Sequence, residues 1–139
     1  MRALILAALL ILPLAAKAQT APSPRTVDMT TVLTDLHGKP IPDGTQATIA
    51  DPQCAKCGPL TLGTAVALAL LTDRGRDEPG LSAIDKAKRG VLAMRLLDAS
   101  AAVLTAAEAA EIIKLSSILS PMVEMRLVPL IDPAVDLTK

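Results

Sequence analysis

Two helix-start signals in series, Ser82-Ala83-Ile84-Asp85 and Thr105-Ala106-Ala107-Glu108, do most to limit what this chain can fold into. In the first, the Ser82 oxygen can accept from an orphan amide of the opening turn, and Asp85 sits where the helix dipole favours negative charge. Ile84, Ala87, Val91 and Met94 then recur at spacings of three and four, with Leu97 continuing the row. That is one face of an α-helix. Lys86, Lys88, Arg89 and Arg95 lie mostly off it. Gly90 costs roughly 1 kcal/mol relative to Ala inside a helix, so it is either a tolerated weakness or a place where another backbone comes close. The second signal fits a full capping box. Ala109, Ile112, Ile113 and Ser116 follow it, with Leu115 and Leu119 nearby. The link over 98–104 is short, and short links favour antiparallel neighbours. The spacing therefore predicts a helical hairpin whose apolar faces meet.

Any core must be aliphatic, because the 139 residues include no Phe, Tyr or Trp, while hydrophobic residues make up 51%. Leu, Ile, Val, Met and Ala bury less area per residue than aromatics. Modest stability, completed by a partner protein or by self-association, is the expectation. The length suits one domain.

Residues 1–18 read as a secretory signal peptide. Met1-Arg2 gives a short positive start, 3–15 is an apolar run broken only by Pro13, and Ala16-Lys17-Ala18 places small residues where a signal peptidase reads. Cleavage is expected between Ala18 and Gln19, which makes the mature protein periplasmic or secreted with no stable membrane span. The run is too short for a span itself. Translation from Met29 would instead leave a cytoplasmic protein. Taking Arg2 and Lys17 from the 14 basic residues leaves 12 against 14 acidic ones, a net charge of −2. Such a chain has little electrostatic reason to seek nucleic acid, and it has no aromatic rings on which bases could stack.

Residues 19–28 carry Thr, Ser, Pro22 and Pro24 and read as a disordered leader. A single α-rich domain is expected over 29–132, with a tail over 133–139. Within it, 30–36 and 39–41 flank His37-Gly38 and predict a small β-hairpin in which Gly38 takes positive φ. Pro40 has no ladder donor, so the returning strand must be an edge. Residues 42–53 read as loop. The run over 65–71 is apolar on nearly all sides, which predicts a central buried helix capped by Thr61 or Thr64. A charged Gly/Pro-bearing loop follows over 72–80. Ser120-Pro121 restarts a helix, Met122, Met125 and Val128 give it an apolar stripe, and Pro129 is expected to end it. The fold class read from these elements is mainly α: an N-terminal β-hairpin, then a small irregular bundle of about four helices.

Cys54-Ala55-Lys56-Cys57 is the one motif with chemical content. Thiols at this spacing can pair, ligate a metal or exchange. In an exported chain the default is a local disulfide between Cys54 and Cys57. A redox centre usually opens a helix after a strand, and this motif follows a loop and precedes Gly58-Pro59. A structural zinc site would need two more ligands, and the one histidine, His37, sits in a hairpin turn where a solvated role is expected. One histidine and no GxSxG stretch leave little room for hydrolytic chemistry. Glu108 and Glu111 fall on a helix surface, and Asp77-Glu78 in a charged loop. No catalytic residue, metal ligand or cofactor is implied. The Met122/Met125 stripe is either core or an adaptable partner-binding face.

The stretch over 33–41 is similar to the first strands of periplasmic thioredoxin-like proteins. However, the Trp expected before the first redox Cys is absent and no β-rich half follows, so that fold is not assigned. A broader likeness runs over about 29–132. Its motifs are Met29-Thr30-Thr31-Val32-Leu33-Thr34-Asp35-Leu36, Gly38-Lys39-Pro40-Ile41, Leu60-Thr61-Leu62-Gly63, Leu81-Ser82 and Leu104-Thr105-Ala106-Ala107-Glu108, in that order. The series resembles small uncharacterised proteins encoded by tailed phages and prophages. That resemblance implies an accessory or assembly-type protein, without site residues to carry over. The export signal departs from it, since those proteins are expected to be cytoplasmic. The leading expectation is a non-enzymatic, exported helical interaction protein. The alternative is a periplasmic thiol-redox or metal-handling protein using Cys54 and Cys57.

Overall fold

A computed structural model describes residues 24–72, 80–135 and 137. The expected signal peptide, its cleavage point at Ala18 and Gln19, and most of the charged loop lie outside the described residues. Among the described residues the element order is β1 (Arg25–Asp28), α1 (Leu62–Leu71), α2 (Ala83–Leu97), β2 (Ala101–Leu104), α3 (Ala106–Ser116) and α4 (Pro121–Ile131), with a 3-10 turn at Gly44–Gln46. The protein is mainly α, with a small hairpin near its N-terminal end.

That hairpin turns where Gly38 allows it, at φ +77°. Thr34 bridges Pro40, Asp35 N–H donates to the Lys39 carbonyl at 2.8 Å, and Ile41 N–H donates to Leu33 at 2.9 Å. The pairing stays minimal because Pro40, Pro42 and Pro59 stand in the bridges and have no N–H to continue a ladder. Leu33 N–H in turn reaches the Leu60 carbonyl, and Leu60 N–H reaches Ile41. The three segments thus close over buried Leu33 and Leu60.

The longer pairing is non-local. β1 runs antiparallel to β2, with Arg25 opposite Leu104 and Val27 opposite Ala102. Val27, Ala102 and Leu104 are buried while Thr26 and Val103 face outward, the alternation that a half-buried strand requires. Residues 25–28, read from composition as leader, are therefore a strand. The short link read over 98–104 contains its partner.

α1 is the hub, packing on α2, α3 and α4. Its Thr61 cap accepts from the Thr64 amide. Two further amides of its first turn are satisfied from outside, Leu62 N–H by Thr31 and Gly63 N–H by Met29. Leu62, Ala65, Val66, Ala69 and Leu70 are all buried, as a helix apolar on every side demands. α4 begins at Pro121 and does not stop at Pro129 as the sequence suggested; it runs on to Ile131. Pro129 removes a hydrogen bond to the carbonyl of Met125, and both residues are exposed, so water can satisfy that oxygen.

The expected meeting of the α2 and α3 apolar faces does not occur. α2 buries Ala93 and Leu96 against the core, and its row of Ile84, Val91, Met94 and Leu97 faces solvent. Periodicity shows that a stripe exists; which stripe is buried depends on the partner. α2 and α3 are joined at their margins by two ion pairs, Arg89 to Glu111 at 2.8 Å and Arg95 to Glu108 at 2.6 Å.

Candidate functional site

Two places carry features beyond those needed to fold: the cysteine loop and the outer face of α2. The loop is built from turns. Asp43 starts the 3-10 turn, accepting from the amide and hydroxyl of Thr45 and from the Gln46 side chain. Gln46 then accepts from Gly58 N–H at 2.9 Å, tying the two ends of the loop together. Burial pulls the Asp43 carboxyl upward, but the Thr45 and Gln46 donors outweigh it and its pKa falls below the usual 3.8.

Cys54 and Cys57 form a disulfide, with their Cα atoms 4.9 Å apart. Cys54 is buried, and its Sγ lies 3.2 Å from the Asp43 carbonyl oxygen. A disulfide sulfur has no proton to donate, so this is a packing contact. Cys54 adopts φ +58°, a left-handed conformation that costs a non-glycine residue about 1–2 kcal/mol. The Asp51 carboxylate takes both intervening amides, Ala55 N–H at 2.9 Å and Lys56 N–H at 2.8 Å. In reactive CxxC sites a helix N-terminus offers free amides to a thiolate. Here the motif opens no helix, and its amides are already occupied.

His37 lies exposed in the hairpin turn, its backbone N–H donating to Asp35 at 2.8 Å. It is not brought to the cysteines, and no group of three or more His, Cys, Asp and Glu side chains converges among the described residues. Asp35, Asp43 and Asp51 each hold backbone amides of their own turns. Glu108 closes the capping box with Thr105 and also binds Arg95. A cleft of about 530 Å³ lies beside α3, walled by Ala109, Ala110, Ile113, Ile131 and Val135 with Arg25 at its edge. Its walls are mainly apolar, and Thr105, Lys114 and Asp132 line it as well.

The outer face of α2 is the more unusual feature. Ile84 is 68% exposed, Val91 70%, Met94 65% and Leu97 48%. Lone exposed aliphatics are ordinary, whereas a contiguous row marks a contact surface. By comparison, Met122 and Met125 on α4 are 38% and 41% exposed. The sequence found the residues of the α2 row and gave them the wrong side. No described helix is long and apolar enough to cross a membrane. No protein-family model matches the chain, and comparison with curated proteins and with solved structures returns no match.

Proposed function

We propose that this is a non-enzymatic, exported helical protein that works by binding another protein surface, in an accessory role of the prophage-related kind. The observation that carries the reading is the exposed row Ile84, Val91, Met94 and Leu97 on α2. A core with no aromatic residue gains little from each buried side chain, so leaving four large aliphatics outside is costly unless a partner covers them. The accessory role rests on the likeness over 29–132, and export rests on residues 1–18. The test compares the wild-type chain with Val91→Glu. Association with itself or with a retained protein, lost in Val91→Glu, is the expected result. A chain that associates with nothing, or equally well as Val91→Glu, contradicts the reading.

The second reading, thiol exchange or metal handling, draws on the spacing of Cys54 and Cys57 and on the exposure of Ala55 and Lys56 between them. A reduction potential below about −300 mV is expected of a structural bond; a markedly higher one favours the redox reading.

A further inference from the structure

We infer that Cys57 is the sulfur through which this protein meets small thiols. A low-molecular-weight thiol enters the cleft beside the cysteine loop and forms a mixed disulfide with Cys57, and Cys54 is set free inside as a thiol. This rests on the thiol-exchange reading and deepens it by naming the sulfur and the class of substrate. The two sulfurs are not equivalent. Cys54 is 9% exposed, whereas Cys57 is half-buried. A cleft of about 330 Å³ opens on Cys57, with Gln46, Thr48, Ala55 and Lys56 among its walls, and Cys54 does not line it. That volume lies within the range of small-molecule sites. Exchange requires the incoming thiolate to reach a sulfur, so access selects Cys57. The Lys56 ammonium draws a thiolate toward the same opening. Asp51 is also in the wall, and its carboxylate oxygens are turned to the Ala55 and Lys56 amides.

The inner sulfur has an acceptor waiting. Cys54 Sγ lies 3.2 Å from the Asp43 carbonyl oxygen. Gln46 N–H donates to that oxygen at 3.0 Å, and a carbonyl oxygen has two lone pairs. A thiol at Cys54 supplies the second donor. The step balances. The thiolate's electron pair makes the new bond to Cys57 Sγ, and the bond between the cysteines breaks toward Cys54 Sγ. That sulfur takes a proton from water and donates it to the Asp43 carbonyl as a hydrogen bond. One disulfide replaces another, with no net oxidation.

The exchange is reversible because the loop is held by bonds that use no sulfur. Asp51 accepts from Ala55 and Lys56, Cys54 N–H donates to the Asp51 carbonyl at 3.2 Å, and the Gln46 side chain accepts from Gly58 N–H at 2.9 Å. These bonds remain when the disulfide opens, so Cys54 stays beside Cys57. Once Cys54 gives its proton back to water, its thiolate attacks Cys57 Sγ and expels the small thiol, which restores the starting bond. Cys57 is the entry sulfur and Cys54 the resolving one.

The test uses the full chain with glutathione as the probe. The oxidised protein is exposed briefly to excess glutathione, free thiols are blocked with N-ethylmaleimide, and tryptic peptides are weighed. Trypsin cuts after Lys56, which puts the two cysteines on separate peptides. Glutathione on Cys57 with maleimide on Cys54 is expected to exceed the opposite isomer by about tenfold or more, the difference between an open and a buried sulfur. In the fully reduced chain, with its helical circular dichroism unchanged, Cys57 is expected to react with maleimide about tenfold faster than Cys54. Glutathione mainly on Cys54 or evenly on both, or equal maleimide rates, overturns the proposal. If the bond exchanges readily but through Cys54, the entry sulfur is refuted while the thiol-exchange reading stands. A bond that excess glutathione leaves intact removes both.

Discussion

The carbonyl oxygen of Leu96 stands 3.1 Å from where a Cβ of Gly63 would lie, and the carbonyl of Met29 stands 3.3 Å from the same point. The start of α1, the end of α2 and the chain leaving β1 meet there, with the Cβ of Met29 a further 3.4 Å contact. Neither oxygen belongs to a flexible side chain that could swing away. Gly63→Ala is therefore expected to destabilise the fold by about 1–3 kcal/mol, despite the better helix propensity of Ala. Gly90→Ala, where a Cβ meets nothing, is expected to stabilise the monomer by up to about 1 kcal/mol. Urea unfolding of the two variants checks the contrast.

Arg126 ties α4 to the hairpin. Its Nε donates to the Thr34 carbonyl at 3.1 Å and its Nη2 to the Asp35 carbonyl at 2.8 Å, across more than 90 residues of sequence. Arg126→Met keeps most of the stem and removes both donors. A loss of about 1–3 kcal/mol is expected, with faster amide exchange at Lys39, which donates to the Asp35 carboxylate, and at Ile41, which donates to the Leu33 carbonyl.

Acid should loosen the molecule through its aspartates. Thr30 donors lower the Asp28 pKa, Ser82 and Lys88 lower that of Asp85, and for Asp43 the Thr45 and Gln46 donors overcome burial. A carboxyl depressed in the fold stabilises it above its unfolded value. That contribution is lost as pH falls through the folded value. Stability is thus expected to be flat from neutral pH to about 5 and to fall below about 4. In Asp43→Asn the acid loss is expected to be shallower, because the amide oxygen can still accept from Thr45 while its charge is gone. Urea midpoints between pH 2 and 7, the range that spans ordinary carboxyl titration, read the difference.

Breaking the disulfide should matter locally. The ring spans a sequence separation of three, and so short a loop restricts the unfolded chain by only about 2 kcal/mol. Cys54→Ser with Cys57→Ser is expected to lower stability by that order, to speed exchange around Ala55 and Lys56, and to leave association through α2 unchanged. Loss of association in that variant would tie the two surfaces together.

Local signals were readable from sequence because they are local. Ser82, Thr105 with Glu108, and Thr61 cap the helices they were expected to cap. The turn at Gly38 and the pairing of Cys54 with Cys57 also depend on near neighbours. What could not be read depends on distant ones. β1 and β2 pair residues more than 70 positions apart, and neither four-residue strand announces the other. α2 shows the same limit: its inner side holds Arg89, half of an ion pair with Glu111, and so looks less apolar than its outer row. Charge on the inside and aliphatics on the outside invert the rule that assigned the face.

The most direct measurement compares Leu96→Ala with Val91→Glu in urea unfolding of the dilute protein. Leu96 is fully buried and Val91 is 70% exposed on the opposite side of the same helix. A loss of about 2–5 kcal/mol is expected for Leu96→Ala and a change within about 0.5 kcal/mol for Val91→Glu. A severe loss in Val91→Glu with a tolerated Leu96→Ala would put the outer row in the core and contradict the account.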